Sequence, residues 1–166
     1  MTLVQRWNYH NELGVQFPIA PLRVAYAASG TLPCAVLIRS GKAVIEHGIY
    51  WCEVQDENEG GYLVTILNSE AARARVAAYQ ARGQWGARHF DKVIFNLPIP
   101  RFDPKNKIHV ALAKASAEAE SLAAAIALPE GVKFQRARGL VRGALAEAGI
   151  AKRIDDLVAR LLDEKD

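Results

Sequence analysis

The sequence predicts an α+β chain: a small mixed or antiparallel sheet with helices, followed by a C-terminal helical region. Three observations predict it. Short runs rich in Val, Ile and Tyr, separated by Gly, Ser and Pro, fill the first third of the 166 residues. From Tyr62 onward the apolar spacing changes to that of a helix, with Tyr62, Leu63, Ile66 and Leu67 on one face. After Asp103-Pro104 the helical spacing continues to the end of the chain.

Strands are expected at Leu22–Ala27, at 34–39 and at 43–54. Turns at 29–33 and 40–42 separate them, the second short enough for an antiparallel hairpin. Gly48 marks a bulge or break in the third strand. The acidic run 55–61 reads as a surface loop. The first helix follows, is broken or capped at Asn68-Ser69, and continues as a second helix over 69–82 that Gly83 ends. Residues 83–89 read as a loop, and 91–97 as a closing strand stopped by Pro98-Ile99-Pro100. Asp103 is the expected N-cap of a long helix with Pro104 at its first position. Ile108, Leu112, Ala115, Ala119, Leu122 and Ile126 alternate steps of four and three, a heptad seam. Pro129-Glu130-Gly131 ends that helix, and two more follow at 134–148 and 150–162, with Gly149 between them. The natural boundary is 98–104, dividing an α/β unit, 1–102, from a helical unit, 103–166, whose two shorter helices pack on the long one.

Composition excludes several classes. With 51% hydrophobic and 23% charged residues the chain is ordinary globular material. No apolar run approaches the roughly 18 residues of a membrane helix, so no membrane partner is expected. The N-terminus lacks the pattern of a signal peptide. Two cysteines, Cys34 and Cys52, make no disulfide framework; they read as inert core residues in a reducing cytoplasm.

Charge is uneven. Residues 1–81 carry six basic and seven acidic side chains, and 108–166 carry nine of each. The segment 82–107 holds Arg82, Arg88, Lys92, Arg101, Lys105 and Lys107 against Asp91 and Asp103. All the excess positive charge lies there, which points to a polyanion surface or to an ordinary solvated loop.

Catalytic patterns are missing. There is no phosphate-binding glycine loop, no nucleophile elbow and no paired His or Cys at metal-ligand spacing. Asp56, Glu57 and Glu59 form the one dense acidic cluster and read as solvated. No enzymatic activity, cofactor or metal is expected of this chain alone.

Three stretches in order carry a resemblance. Gly61-Tyr62-Leu63-Val64-Thr65-Ile66-Leu67-Asn68-Ser69 resembles the "YL…LLNS" helix in the target-recognition domains of large restriction-modification methyltransferases. Arg82-Gly83-Gln84-Trp85-Gly86-Ala87-Arg88-His89 resembles the glycine-containing loop that follows it. Residues 93–100, VIFNLPIP, resemble the strand ending in L-P-I-P that closes such domains. In type I specificity subunits the same proline turn leads into a long helix, whose place 105–128 takes here; 43–51 fits the preceding strand pair. The match covers about 60 residues and leaves 1–20 and 130–166 outside.

The resemblance implies a specificity domain of adenine-N6 DNA methyltransferases, docked on double-stranded DNA. A catalytic domain, in cis or in trans, would supply S-adenosylmethionine and extrude the base. Arg82 and Arg88 suit guanine, Gln84 suits adenine, and Lys92, Arg101, Lys105 and Lys107 suit phosphates. Trp85 either packs on a sugar or base or covers the core edge, and His89 is either a contact or an ordinary histidine. Arg39 and Lys42 form a second candidate surface. Two other readings stay open: a protein-docking module built on the heptad helix, without DNA, and an unrecognised small enzyme.

Overall fold

The computed structural model describes residues 2, 5, 6, 8–11, 13–27, 34–46, 48–77, 79, 82, 83, 86, 87, 94 and 96–163, and only the backbone of 9, 82, 83, 86 and 87. Strand β1 (Leu22–Ala27) is the centre of a three-stranded antiparallel sheet. It pairs with β2 (Ala35–Arg39) on one side and β3 (Ile49–Glu53) on the other. Helices α1 (Glu57–Asn68) and α2 (Glu70–Ala77) follow, then a two-residue ribbon of β4 (Arg82–Gly83) and β5 (Gly86–Ala87). Helices α3 (Lys107–Ala124), α4 (Phe134–Glu147) and α5 (Ile150–Asp163) complete the chain. This is the predicted α+β class, sheet first and helical region last.

The expected hairpin at 40–42 does not join neighbouring strands. β2 and β3 lie on opposite edges of β1, so the connection crosses the end of β1. Arg23 on β1, wholly buried, explains the path. Its guanidinium donates to the carbonyl oxygens of Ser40 and Ala43 and lies 5.6 Å from the Trp51 ring centre. The buried Gln16 side chain then treats Ile45 as a strand partner would. Ile45 N–H donates to Gln16 Oε1 (2.8 Å), and Gln16 Nε2 donates to the Ile45 carbonyl (2.7 Å). Residues 43–46 are therefore held by side chains, and the third strand begins at Ile49 rather than at 43. Gly48, expected to break the third strand, lies instead in the turn just before that strand begins. The turn 29–33 lies outside the described residues.

The acidic run is not a loop. Asp56 caps α1, its carboxylate accepting from Asn58 N (2.8 Å) and Glu59 N (2.9 Å). Glu59 reaches back to accept from Gln55 N (2.6 Å), an arrangement close to a capping box. Acidic side chains at this end also oppose the helix dipole. Gly60 and Gly61 fall inside the helix because it is squeezed from two sides. A Cβ on Gly60 would lie 2.5 Å from Leu37 Cδ1, and one on Gly61 3.1 Å from Ser116 Cβ of α3.

α1 is consequently the middle layer. Leu67, with Leu63 and Val64 beside it, packs toward Val24, Tyr26 and Ala35 of the sheet, where Val76 and Ile94 are also buried. Tyr62 and Ile66 pack with Ile108, Leu112 and Ala113 of α3 and Val158, Leu161 and Leu162 of α5. This second cluster draws on both sides of 98–104.

Asn68-Ser69 does separate one helix from the next. Ser69 Oγ accepts from Ala72 N (3.1 Å), and Asp155 of α5 accepts from Glu70 N (2.8 Å) and Ala71 N (3.2 Å). The described helix stops at Ala77, short of 82. Gly83 does not terminate it; with Arg82 it pairs as a ribbon against Gly86–Ala87, within the stretch expected as a loop. The expected closing strand is not extended at its described residues. Leu97 N–H donates to the Ile94 carbonyl (3.2 Å) and Ile99 N–H to that of Leu97 (2.8 Å), both turn bonds. Residues 91–93 and 95 lie outside the described set.

α3 begins later than expected. Asn106, not Asp103, is the N-cap, accepting from Ile108 N (2.8 Å) and His109 N (3.3 Å). Asp103 closes the preceding turn, where its carboxylate accepts from Lys105 N (2.8 Å). The helix ends at Ala124, four residues inside the segment expected to reach Pro129. The seam is buried at Ile108, Leu112 and Ala115 and half-buried at Ala119, Leu122 and Ile126. α4 has no buried residue, and Phe134 is 72% exposed. Gly149 turns the chain into α5 with φ of 72°. Cys34 and Cys52 are exposed rather than core, since β2 and β3 are edge strands with one neighbour each.

Candidate nucleic-acid interface

The basic segment enters the described structure as a strap, residues 98–107, between the prolines and the first turn of α3. Two buried side chains bond to it. Tyr62 Oη on α1 donates to the Pro100 carbonyl (2.9 Å). His109 Nδ1 on α3 accepts from Asp103 N–H (2.9 Å). The Tyr62 and His109 rings lie 4.7 Å apart, and Phe102 from the strap tilts against Tyr62 at 5.5 Å. Burial pushes the Tyr62 phenol well above its ordinary pKa, so it stays a donor.

With Phe102 turned inward, Arg101, Lys105 and Lys107 are exposed. None of the three is in an ion pair among the described residues. Arg101 borders a notch of about 370 Å³ with Gln55, Asp56 and Glu59. Lys107 opens α3, the end at which the dipole disfavours a cation by about 0.3–1 kcal/mol. Its place there is therefore not explained by helix stability.

The other expected residues fall elsewhere. Lys42 is exposed in the turn after β2. Arg39 is committed: its guanidinium bonds Glu120 of α3 (2.7 and 2.9 Å) and Glu57 of α1 (3.2 Å). The Arg39 hydrogen bond holds the Glu120 carboxyl below its ordinary value. Arg82 is described only as backbone of β4. Gln84, Trp85, Arg88, His89 and Lys92 lie outside the described residues.

Four arginines on α2, α4 and α5 resemble Arg39. Arg142 pairs with Glu70 (2.6 Å), as does Arg73; Arg75 pairs with Asp163 (2.5 Å) and Arg153 with Glu118. Burial opposes ionisation of Glu70, but Arg142 and Arg73 outweigh it and hold its pKa below the ordinary value. These charges are neutralised within the protein.

Two features escape a reading of the sequence. Asn68 caps the free edge of β2: Ala35 N–H donates to its Oδ1 and its Nδ2 donates to the Ala35 carbonyl, both at 2.9 Å. The L-N-S spelling carries that signal, since Asn and Ser both bond readily to backbone. The other is a cavity of about 850 Å³ between the β2 edge, α1, α3, α4 and α5, lined by Leu37, Val64, Ala119, Val141, Leu145 and Ile154 among others. It needs five elements to close, so no local pattern announces it.

Among the described residues no cluster of His, Cys, Asp and Glu could hold a metal ion, and no helix is long and apolar enough to cross a membrane. Comparison with family models, curated proteins and solved structures gives no match.

Proposed function

We propose that this chain is a DNA target-recognition domain that works beside an adenine-N6 methyltransferase catalytic domain, in cis or in trans, and performs no catalysis itself. The observation that carries the reading is the contrast in how cations are used. Arg39, Arg73, Arg75, Arg142 and Arg153 are matched to protein carboxylates. Arg101, Lys105 and Lys107, inside the segment that holds the whole positive excess, are exposed and unmatched among the described residues. Unmatched cations on a fixed backbone suit phosphates, which set register on a duplex, while base reading falls to Arg82, Gln84 and Arg88. Trp85, His89 and Lys92 belong to the same proposed surface, with Arg39 and Lys42 as the second candidate; Arg39 would first have to leave Glu57 and Glu120.

The test is salt-dependent binding to duplex DNA. Replacing Lys105 and Lys107 with Ala should weaken binding to every sequence alike and lower the salt slope by about one unit per lost contact. Arg88→Ala in the complete methyltransferase should instead relax site choice, at about 1–3 kcal/mol for a lost bidentate contact. Unchanged binding in the lysine variants, with an unchanged site set in the Arg88 variant, overturns the proposal.

The apolar cavity favours a second reading, protein docking without DNA. It predicts no salt-dependent affinity for duplex DNA in any variant.

A further inference from the structure

We infer that Tyr62 and His109 are positioning residues for phosphate contact: they fix the strap 98–107, and so set where Lys105 and Lys107 stand. The inference rests on the DNA-recognition reading and adds a role for two residues that touch no DNA.

The strap has little regular structure to hold it. Residues 98–103 make no strand and no helix. It is fastened at two points three residues apart, by side chains from different helices: the Pro100 carbonyl by Tyr62 of α1, the Asp103 N–H by His109 of α3. Tyr62 is fully buried and His109 3% exposed, so each bond is shielded from water on its side-chain end. The Phe102 ring packs between the two fastenings, on the Tyr62 and His109 rings. Arg101 and Phe102 are thus forced to opposite sides, the arginine out and the phenylalanine in. The Asp103 carboxylate, oriented by the second fastening, accepts from Lys105 N and turns the chain into Asn106, the α3 cap. The two lysines follow from that turn.

His109 serves this purpose because Nδ1 is an acceptor at a fixed distance from the α3 backbone. Asn offers an oxygen at the same branch position, and Leu offers none. Tyr62→Phe keeps the ring that supports Phe102 and His109 and removes only the hydroxyl.

Duplex binding and its salt slope would be measured for wild type, His109→Leu, His109→Asn, Tyr62→Phe and Lys105→Ala/Lys107→Ala, with amide exchange at Asp103 and melting temperature followed in parallel. We expect His109→Leu to lower the salt slope by about one to two units, roughly as much as the double lysine variant. His109→Asn should restore most of it, and Tyr62→Phe should lower it less. Placed in the double lysine background, His109→Leu should lower the melting temperature yet cost far less DNA affinity than it does in the wild-type chain, because two of the contacts it positions are already gone. A merely structural role would not give that non-additivity.

If the double lysine variant loses slope while folded His109→Leu and Tyr62→Phe keep it, the positioning inference is overturned and the DNA reading stands. If the lysines prove irrelevant to DNA, the phosphate contacts assigned to them fail and the inference with them, and the DNA reading is then judged by the Arg88 variant. The fastening itself is then judged by exchange at Asp103, fast in His109→Leu and slow again in His109→Asn if it exists. Should His109→Leu not fold, Tyr62→Phe carries the same comparison.

Discussion

The two halves of α3 carry one seam spacing and meet different surroundings. At Ile108, Leu112 and Ala115 the seam is sealed by α1 and α5, with Leu112 fully buried. At Ala119, which borders the cavity, at Leu122 and at Ile126, just past the helix end, it is only half-buried, and α4 buries no residue. Heptad spacing states that a face is apolar; it does not state what arrives to cover it. The first half is covered because Gly61 of α1 lets α3 come close, while Gly60 makes room for Leu37 of the sheet. The second half is bordered by the Arg39–Glu120 and Arg153–Glu118 pairs, whose partly exposed charged ends tie α3 to β2 and α5.

The largest effect expected from this difference is at Leu112. Leu112→Ala should cost about 2–5 kcal/mol by denaturant titration, because the site is fully enclosed. Leu122→Ala, half-buried, should cost well under half as much. Equal costs would mean that the second half of the seam is sealed in solution, and the comparison would be broken.

Gly61→Ala sharpens the same point from the opposite helix. The added methyl would meet Ser116 Cβ at 3.1 Å, pushing α1 from α3 at about 1–3 kcal/mol. Gly143→Ala on the open α4, where nothing lies within 4 Å, should stabilise slightly through helix propensity. Thermal melts of the two variants should therefore move in opposite directions.

A smaller effect is expected where α5 caps α2. Asp155→Ala removes the acceptor of Glu70 N and Ala71 N and should cost about 0.5–2 kcal/mol. Asp155→Asn, which keeps an acceptor oxygen, should recover much of it. If Asn is as damaging as Ala, the carboxylate's charge rather than its hydrogen bonds does the holding.

The smallest concerns the ion pairs at the cavity mouth. Glu120 has a lowered pKa in the folded chain, so its contribution is present above the unfolded value near 4.5 and is lost as pH falls below it. The pair is largely exposed, so Arg39→Ala should cost about 0–1 kcal/mol at neutral pH, and less in high salt. The difference from wild type should vanish in acid. A difference that persists at low pH would assign Arg39 a packing role instead.

Much of the fold is legible residue by residue. The strand at Leu22–Ala27, the Asn68-Ser69 break and the Gly149 turn each rest on a few adjacent side chains, and each stands where the sequence puts it. Asp56–Glu59 is equally local, a cap and its reciprocal carboxylate, but high acidity disguises it as a loop. The third strand and the closing strand mislead for another cause. Ile45 and Ile94 are buried there, but the backbone around Ile45 is held by side-chain hydrogen bonds from Gln16 and Arg23, and that of Ile94 and Leu97 by turns. Of the candidate site, the sequence shows where the cations cluster, but not that Arg39 already has two carboxylate partners.

The sequence by itself determined which residues are apolar and at what period, where the breaks at Asn68-Ser69 and Gly149 stand, and that the positive excess lies in 82–107. These are properties of neighbours in the chain, fixed by backbone sterics, capping and composition. Tertiary structure decided the rest: that the connection from β2 crosses β1, that one half of a uniform seam is sealed, and that Arg39 is spent on Glu57 and Glu120 while Lys105 and Lys107 are left to solvent. Each depends on partners far away in sequence, 81 residues for Arg39 and Glu120. A charge or an apolar face has no meaning for function until it is known which distant group has already met it.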